Sequence, residues 1–361
     1  MSHEDFSRVN PNTGTTPVFR TRRDAEITRR IYEKFPVLNH HQKGKVWPIK
    51  YFTMFHMTND SHLFKTKEEL ERDGFYPVDG NKLKKNKEEF APLYVGRMIH
   101  HYDHRAASVE VNLESLHNPA LSGAVSEEMH KNPGFYPTSQ YWVDKTHVPL
   151  DKNISWVLTF RDIARSTDAR TMIATIIPRH PTGNKLPLLI PESNAVIDRY
   201  KKDGFLLLSN LNSFAFDFVM RQKLQSTSLN WYIVEQLPMV QKNKFEEKVG
   251  KIKIADFIRN EVLALTYTAH DMKPFAMDMG YDGEPFTWDE EDRRHRKARL
   301  DALFFNLYEI NEEDAAYIMD TFPIVRREDE KAFEGRYYTK DLILAYMKAL
   351  KAGDTESKIK L

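Results

Sequence analysis

The sequence predicts a mixed α+β fold, in which a central, twisted, β-rich subdomain is flanked by helical regions. Between Leu150 and Pro238, short apolar runs are bounded by Pro, Gly and Asn, and this pattern is typical of strands. After Ile252, apolar residues recur at helical spacing behind polar capping residues, so the C-terminal third should be helical. A chain of 361 residues, 41% of them hydrophobic, can bury a sizeable core and form two or three subdomains.

The N-terminal region begins with turn residues and continues into an amphipathic helix. From Arg22 to Phe35 the less polar side chains recur at helical spacing, so one face of this helix should dock on the core. The charged stretch 65–86, which contains Gly and Pro, predicts a surface helix followed by a loop.

In the central part we interpret four apolar runs as strands of a mixed sheet. These runs cover residues 155–160, 171–177, 186–190 and 205–208. If a strand continues beyond the last run, Asn210 and Asn212 would share one of its faces.

In the C-terminal part, helices are predicted over residues 255–267 and 289–308. The second helix has acidic residues first and basic residues later, which suits its dipole. Asn311 and Thr339 are predicted to cap the two helices that follow.

The composition excludes several classes of function. The chain has no Cys, which rules out disulfides and thiol chemistry, and its net charge of +1 gives no whole-molecule field for a polyanion. The charged N-terminus leads into no apolar segment of the secretory kind, and no apolar stretch is long enough to cross a membrane. We therefore expect a cytoplasmic protein without a membrane partner.

Several blocks of the sequence resemble one protein family. Residues 93–105, which read Leu-Tyr-Val-Gly-Arg-Met-Ile-His-His-Tyr-Asp-His-Arg, are similar to a motif of type IIG-like adenine-specific DNA methyltransferases of restriction-modification or phage-defence systems. Further blocks that resemble this family lie at 10–14, 17–25, 156–171, 176–178, 183–187, 210–214, 221–223, 229–232, 236–238, 300–305 and 321–325. The resemblance covers nearly the whole chain and matches the C-terminal, target-recognition region of such enzymes.

The resemblance implies three segments: an N-terminal connecting region (1–95), a target-recognition-like subdomain (96–250) and a C-terminal helical subdomain (251–361). The catalytic motifs of the family are missing, since neither the Gly-containing loop for S-adenosylmethionine nor the Asn/Asp-Pro-Pro-aromatic loop occurs. The nearest string, residues 10–13, lacks the second Pro and the aromatic residue. The resemblance thus implies a non-catalytic chain without a cofactor of its own. It would recognise double-stranded DNA for a methyltransferase catalytic domain or subunit that binds S-adenosylmethionine.

Contact with DNA needs cations for phosphates and planar polar groups for base edges. The candidates are Arg105, Arg161, Arg165, Arg170, Arg179, Thr182, Asn184, Lys185, Asn210, Asn212, Arg221, Gln222, Lys223 and Asn230. The alternative is structural: one or two of Arg161, Arg165 and Arg170 would pair with Asp162 and Asp168, and the polar loop 179–185 would be a solvated turn. The basic runs at 242–253 and 293–299 are interpreted mainly as solvated or self-paired faces.

Two other functions remain open from the sequence. His100, His101, Asp103 and His104 offer imidazole and carboxylate ligands for a metal-dependent hydrolase or nuclease. Against this, the residue after His100 is not the Glu of a His-Glu-x-x-His motif, and Arg97 and Arg105 lie close by. The remaining alternative is a protein-interaction subunit that does not read DNA.

Overall fold

The computed structural model describes residues 9–15, 17–112 and 120–361. The fold is mixed α+β with antiparallel sheets, which confirms the predicted fold class. The helices, numbered in chain order, are α1 (Arg22–Lys34), α2 (Lys67–Arg72), α3 (Glu127–Lys131), α4 (Ile197–Asn212), α5 (Phe214–Lys223), α6 (Trp231–Val234), α7 (Ile254–Thr266), α8 (Lys273–Asp278), α9 (Glu290–Leu307), α10 (Glu312–Asp320), α11 (Pro323–Ala332) and α12 (Tyr338–Lys351).

The strands form two four-stranded sheets and three two-stranded ribbons in the part of the chain described. They are β1 (Asn39–His40), β2 (Gly44–Lys45), β3 (Ile49–Phe52), β4 (Tyr76–Val78), β5 (Lys82–Lys85), β6 (Glu88–Pro92), β7 (Ala107–Val111), β8 (Ala120–Ala124), β9 (Trp142–Asp144), β10 (Trp156–Phe160), β11 (Ala174–Pro178), β12 (Leu188–Pro191), β13 (Lys248–Val249) and β14 (Ile252–Lys253).

Helix α1 matches the predicted amphipathic helix. Thr21 caps it, because its side chain accepts a hydrogen bond from Asp24 N while the Asp24 carboxylate accepts one from Thr21 N. Ile27 and Ile31 lie on the buried face, so the helix docks through its apolar stripe.

The central sheet has the order β11-β10-β12-β3 and is antiparallel throughout, not mixed. Strands β10, β11 and β12 confirm three of the four predicted runs. The fourth prediction is wrong: residues 205–208 lie inside helix α4. A short, fully buried apolar run has the same pattern in a strand and in a buried helix, so spacing could not separate them.

The second sheet has the order β4-β5-β6-β9. Helix α2 is the predicted surface helix, but the predicted loop contains the hairpin of β4 and β5. Gly80 and Asn81 have φ of 74° and 58° and close this hairpin, which a Gly and an Asn allow at little steric cost. Only Leu83 of these two strands is buried, and this explains why the alternating pattern was weak.

The C-terminal helices α7 and α9 confirm the two helices predicted there. Asn311 caps α10 as predicted, since its side chain accepts from Asp314 N. Thr339 is not a cap: α12 begins at Tyr338, and the Thr339 amide donates to the Asp329 carboxylate.

One large hydrophobic core joins the three predicted segments. It extends from Val9 through the central sheet and α4 to Leu350 in α12. Strand β3, from the segment predicted as N-terminal, pairs with β12 of the central segment, with Tyr51 opposite Leu189. None of the described helices is both long and apolar enough to cross a membrane.

Candidate functional site

A cavity of about 520 Å³ lies between the central sheet and the C-terminal helices. The turn before β7, the loop after β10, the start of α5 and the helix α9 form its walls. Its lining combines imidazoles, cations and carboxylates: His100, His101, Arg161, Asp168, Arg170, Glu290, Arg294, Lys297, Asp301 and Glu328. Cations and carboxylates thus lie side by side in this lining.

A tight turn brings His100 and His101 to the cavity. His100 and Asp103 exchange two backbone hydrogen bonds, of 2.8 and 3.1 Å. Tyr102, between them, has φ of 57°, a left-handed conformation that is unusual for an aromatic residue. Its amide donates to the Ala174 carbonyl, so the start of β11 holds this strained turn in place.

Both histidines of the turn are neutral near pH 7. The His101 Nε2 donates to the Met172 carbonyl at 2.8 Å, which leaves the lone pair on Nδ1. Burial, then the positive charge of Arg170, holds the pKa of His101 well below its usual range. Burial among protein groups, followed by the positive charges of Arg161 and Lys297, lowers the pKa of His100 to about 3. The His100 ring nevertheless remains exposed to the cavity.

Three cations of the cavity have no carboxylate partner among the residues described. Arg161 donates to the Ile99 carbonyl, and its Nε has no partner. Arg294 lies over the rings of Phe333 and Tyr338, at 4.9 and 5.9 Å from their centroids. Lys297 has neither a hydrogen bond nor an ion pair with any described residue, and burial followed by the charge of Arg293 lowers its pKa to about 8. We call Arg161, Arg294 and Lys297 the unpaired cations.

Three carboxylates of the cavity wall already accept hydrogen bonds from the protein. Asp168 accepts from Arg165 N, Glu290 from the Trp288 indole and Asp301 from Phe214 N, each at 2.8 Å. Burial raises the pKa of Asp301 to about 6, against the opposing effect of Arg170. These carboxylates thus accept hydrogen bonds from the protein, whereas the unpaired cations line the cavity without such a bond to a carboxylate.

A buried carboxylate, Asp217 of α5, fixes the loop after β10. It accepts from Arg170 Nε at 2.8 Å and from Thr171 N at 3.0 Å, and it lies 3.5 Å from Arg221 Nε. Arg221 also donates to the carbonyls of Asp168 and Ala169. Arg170 and Arg221, both proposed from the sequence as DNA contacts, therefore use their N–H donors to hold this loop.

The same loop is the centre of a larger exposed surface. The Asp162 amide donates to the Lys185 carbonyl, which attaches the 183–185 turn on one side. The Leu229 amide donates to the Asp162 carbonyl and the Ala164 amide to the Thr227 carbonyl, which attaches residues 226–230 on the other. We call residues 161–170, 183–185 and 226–230 the loop surface.

The loop surface collects the predicted DNA contacts that remain accessible. Arg165, Lys185 and Asn230 are exposed, and Asn184 is half-buried. Lys185 is paired with Asp162 at 2.7 Å. Ile163, at the rim of the cavity, is 62% exposed.

Other predicted DNA contacts lie inside the protein, and their burial argues against that role. Arg105 has no exposed surface and donates to the carbonyls of Asn132, Phe135, His130 and Thr268. Four more predicted contacts are also buried. Asn210 bonds Val240 N and the Tyr308 hydroxyl, Gln222 donates to the Phe218 carbonyl, the Lys223 ammonium donates to the carbonyls of Val9 and Gln236, and Thr182 is fully buried.

Two further predicted contacts line cavities but bond backbone groups of the protein. Asn212 lines the cavity, but its amide bonds both the N–H and the carbonyl of Ala174. Arg179 is half-buried beside a different cavity and donates to the Leu150 carbonyl. Both side chains hold the backbone of neighbouring segments.

The histidine-rich motif does not assemble a metal site. His101 is bound to Met172, His104 pairs with Asp271 at 3.0 Å, and Asp103 accepts from His130 and Arg105 N. In the described ranges no group of three or more His, Asp or Glu side chains could hold a metal ion. The geometry therefore contradicts the metal-ligand role for this motif.

Sequence reasoning missed Arg294 and Lys297 because it treated the basic run of α9 as self-paired. That interpretation holds for Arg296, which pairs with Asp292 of the same helix, whereas Arg299 pairs with Glu261 of α7. Arg294 and Lys297 are three residues apart and lie on the face that lines the cavity. Their spacing was the available signal.

No family model and no curated protein matches this chain. The resemblance to adenine methyltransferases thus rests on the motifs quoted above.

Proposed function

We propose that this chain recognises double-stranded DNA for an N6-adenine methyltransferase of the type IIG-like, restriction-modification or phage-defence kind. The catalytic domain or subunit, with its S-adenosylmethionine, would lie elsewhere, and the complex would act in the cytoplasm. The observation that supports this proposal is the position of the accessible candidates: Arg165, Asn184 and Asn230 lie on one loop surface that borders the unpaired cations.

The unpaired cations suit electrostatic attraction of DNA phosphates for an energetic reason. A cation that already pairs with a carboxylate, such as Lys185 with Asp162, must lose that partner before it can neutralise a phosphate. Arg161, Arg294 and Lys297 have no such partner to lose among the described residues. These three cations can therefore attract DNA locally, although the net charge of the protein is only +1.

The loop surface supplies the groups that could distinguish bases. An Arg can bond guanine with two hydrogen bonds, and an Asn can do the same with adenine. Arg165, Asn184 and Asn230 are such groups, and each is carried on a loop fixed by backbone hydrogen bonds rather than on a free segment.

The test is a binding selection with the full chain and linear duplexes that have a randomised centre, followed by affinity measurements. We expect enrichment of a short sequence and a salt-dependent affinity. Asn184→Ala should weaken binding to the enriched sequence more than to the starting pool. Arg165→Ala, which removes a group proposed to bond a base edge, should show the same difference.

The matched control is Arg22→Ala, because Arg22 is exposed on α1 and contributes nothing to the cavity. This variant should bind like the parent chain. The proposal is refuted if no sequence is enriched and the loop-surface variants bind covalently closed circular duplex as the parent does.

A further inference from the structure

We propose that the cavity binds a phosphate monoester, carried either by the 5′ end of a DNA strand or by a free nucleoside monophosphate. The strand-end source rests on the proposed function. The free-nucleotide source does not.

The size of the cavity decides what can enter it. A volume of about 520 Å³ lies within the range of about 300–1,000 Å³ that is usual for small-ligand sites. A duplex, whose major groove alone is about 12 Å wide, cannot enter such a space. An internal phosphodiester would have to bring both of its neighbours with it, whereas a terminal phosphate can enter alone.

The charge of the cavity favours a monoester over a diester. A phosphate monoester carries a charge of about −1.5 to −2 at pH 7, while each internal diester carries one negative charge. Arg161, Arg294 and Lys297 offer three positive charges at one space, and a guanidinium can bond two phosphate oxygens at once. A monoester, with its larger charge and three terminal oxygens, can therefore bond more of these donors than a diester can.

The carboxylates of the wall are the main opposing feature. Asp168, Glu290 and Asp301 each accept an N–H bond from the protein, which holds one carboxylate oxygen of each on the wall. Glu328 is exposed and lies on α11 at the edge of the cavity. These bonds leave the carboxylate charges in place, so an entering anion must bond the unpaired cations directly to overcome that repulsion.

A neutral ring beside the cations can receive the base. The His100 ring is exposed to the cavity and lies edge-on to His101, with 4.9 Å between centroids. Bases stack on planar side chains of this kind, histidine included. A ligand with a phosphate and a base would therefore use both walls, and inorganic phosphate would use only one.

The experiment compares ligands that differ in one phosphate. Calorimetry with the full chain uses deoxyadenosine 5′-monophosphate, deoxyadenosine and inorganic phosphate. In parallel, two blunt duplexes of identical sequence are compared, one with 5′-phosphates and one with 5′-hydroxyls. At least one 5′-phosphorylated ligand should bind about tenfold or more tightly than its unphosphorylated form, because charge-assisted hydrogen bonds are the strongest class.

The variants assign the preference to the cavity. Lys297→Met keeps the length of the side chain and should abolish the preference, whereas Lys297→Arg should retain it. Arg22→Ala is the control, and circular dichroism verifies that each variant is folded.

Each outcome has a defined meaning. A preference seen only with the duplex supports a strand end, one seen only with the nucleotide supports a free ligand, and one seen with both supports the general monoester. Equal binding of phosphorylated and unphosphorylated forms in both pairs overturns the inference. Binding of covalently closed circular duplex, which has no ends, tests the proposed function separately.

Discussion

Replacing Asp301 by Asn should stabilise the protein near neutral pH and have a smaller effect in acid. The carboxyl group of Asp301 is buried, and its pKa rises to about 6 from a usual value of 3.8. A group whose pKa is raised by folding supports the folded state fully below its unfolded pKa, and this support is lost as the pH rises through the folded pKa. Asn carries no charge, so the variant avoids that loss.

The magnitude follows from the two pKa values. The shift from 3.8 to about 6 corresponds to about 3 kcal/mol at about pH 7.5, since one pKa unit equals about 1.36 kcal/mol. At about pH 5 the same relation gives about 1.6 kcal/mol. The advantage of Asp301→Asn over the parent chain should therefore grow by about 1.4 kcal/mol between these two pH values.

Urea unfolding, followed by tryptophan fluorescence at both pH values, measures this difference. The side-chain oxygen of Asn can still accept from Phe214 N, so the bond that holds the start of α5 is kept. Any change in the free energy of unfolding that does not depend on pH cancels when the two pH values are compared. A stability difference between variant and parent that does not change with pH would refute the assigned cause.

Three further predictions concern packing, polar burial and binding. Gly204→Ala should destabilise the protein by about 1–3 kcal/mol in urea unfolding, because its Cβ would lie 2.9 Å from the Trp156 ring. Arg105→Lys should cost about 3 kcal/mol or more in the same assay, since one ammonium cannot replace a guanidinium bonded to four backbone carbonyls; unchanged stability would contradict this. The affinity for a 5′-phosphorylated duplex, measured by fluorescence anisotropy at constant salt, should fall as the pH rises through about 8, where Lys297 loses its charge. Lys297→Met should remove this pH dependence, and a parallel fall in the variant would assign it to another group.

The strands of the central sheet could be predicted because their boundaries are local. Runs such as 155–160 end at residues that interrupt a strand, and this needs no knowledge of distant contacts. The run 205–208 failed because nothing local separates a buried strand from a buried helix. Its structure depends on Gly204, which lets α4 approach Trp156 of the neighbouring sheet.

The candidate site was harder to predict because a cation's role depends on its partner. Arg170 and Arg221 look like phosphate contacts in the sequence, yet both turn to Asp217, which lies 47 residues after the first. The acidic start of α9 suggested a partner for Lys297, but Asp292 of this helix pairs with Arg296. The sequence shows the charges, and only the fold decides which of them are neutralised.

If the loop surface reads DNA as proposed, the position of Asp217 has a consequence for how the target could change. Because this carboxylate fixes the loop after β10 during folding, the ordering of that loop costs no additional entropy when a ligand arrives. A rigid support of this kind resists rearrangement, so a new target sequence would be acquired by exchanging the side chains that the loop presents. Specificity and folding would then be separated: Arg170 and Arg221 hold the loop, and the outward side chains could change without loss of that support.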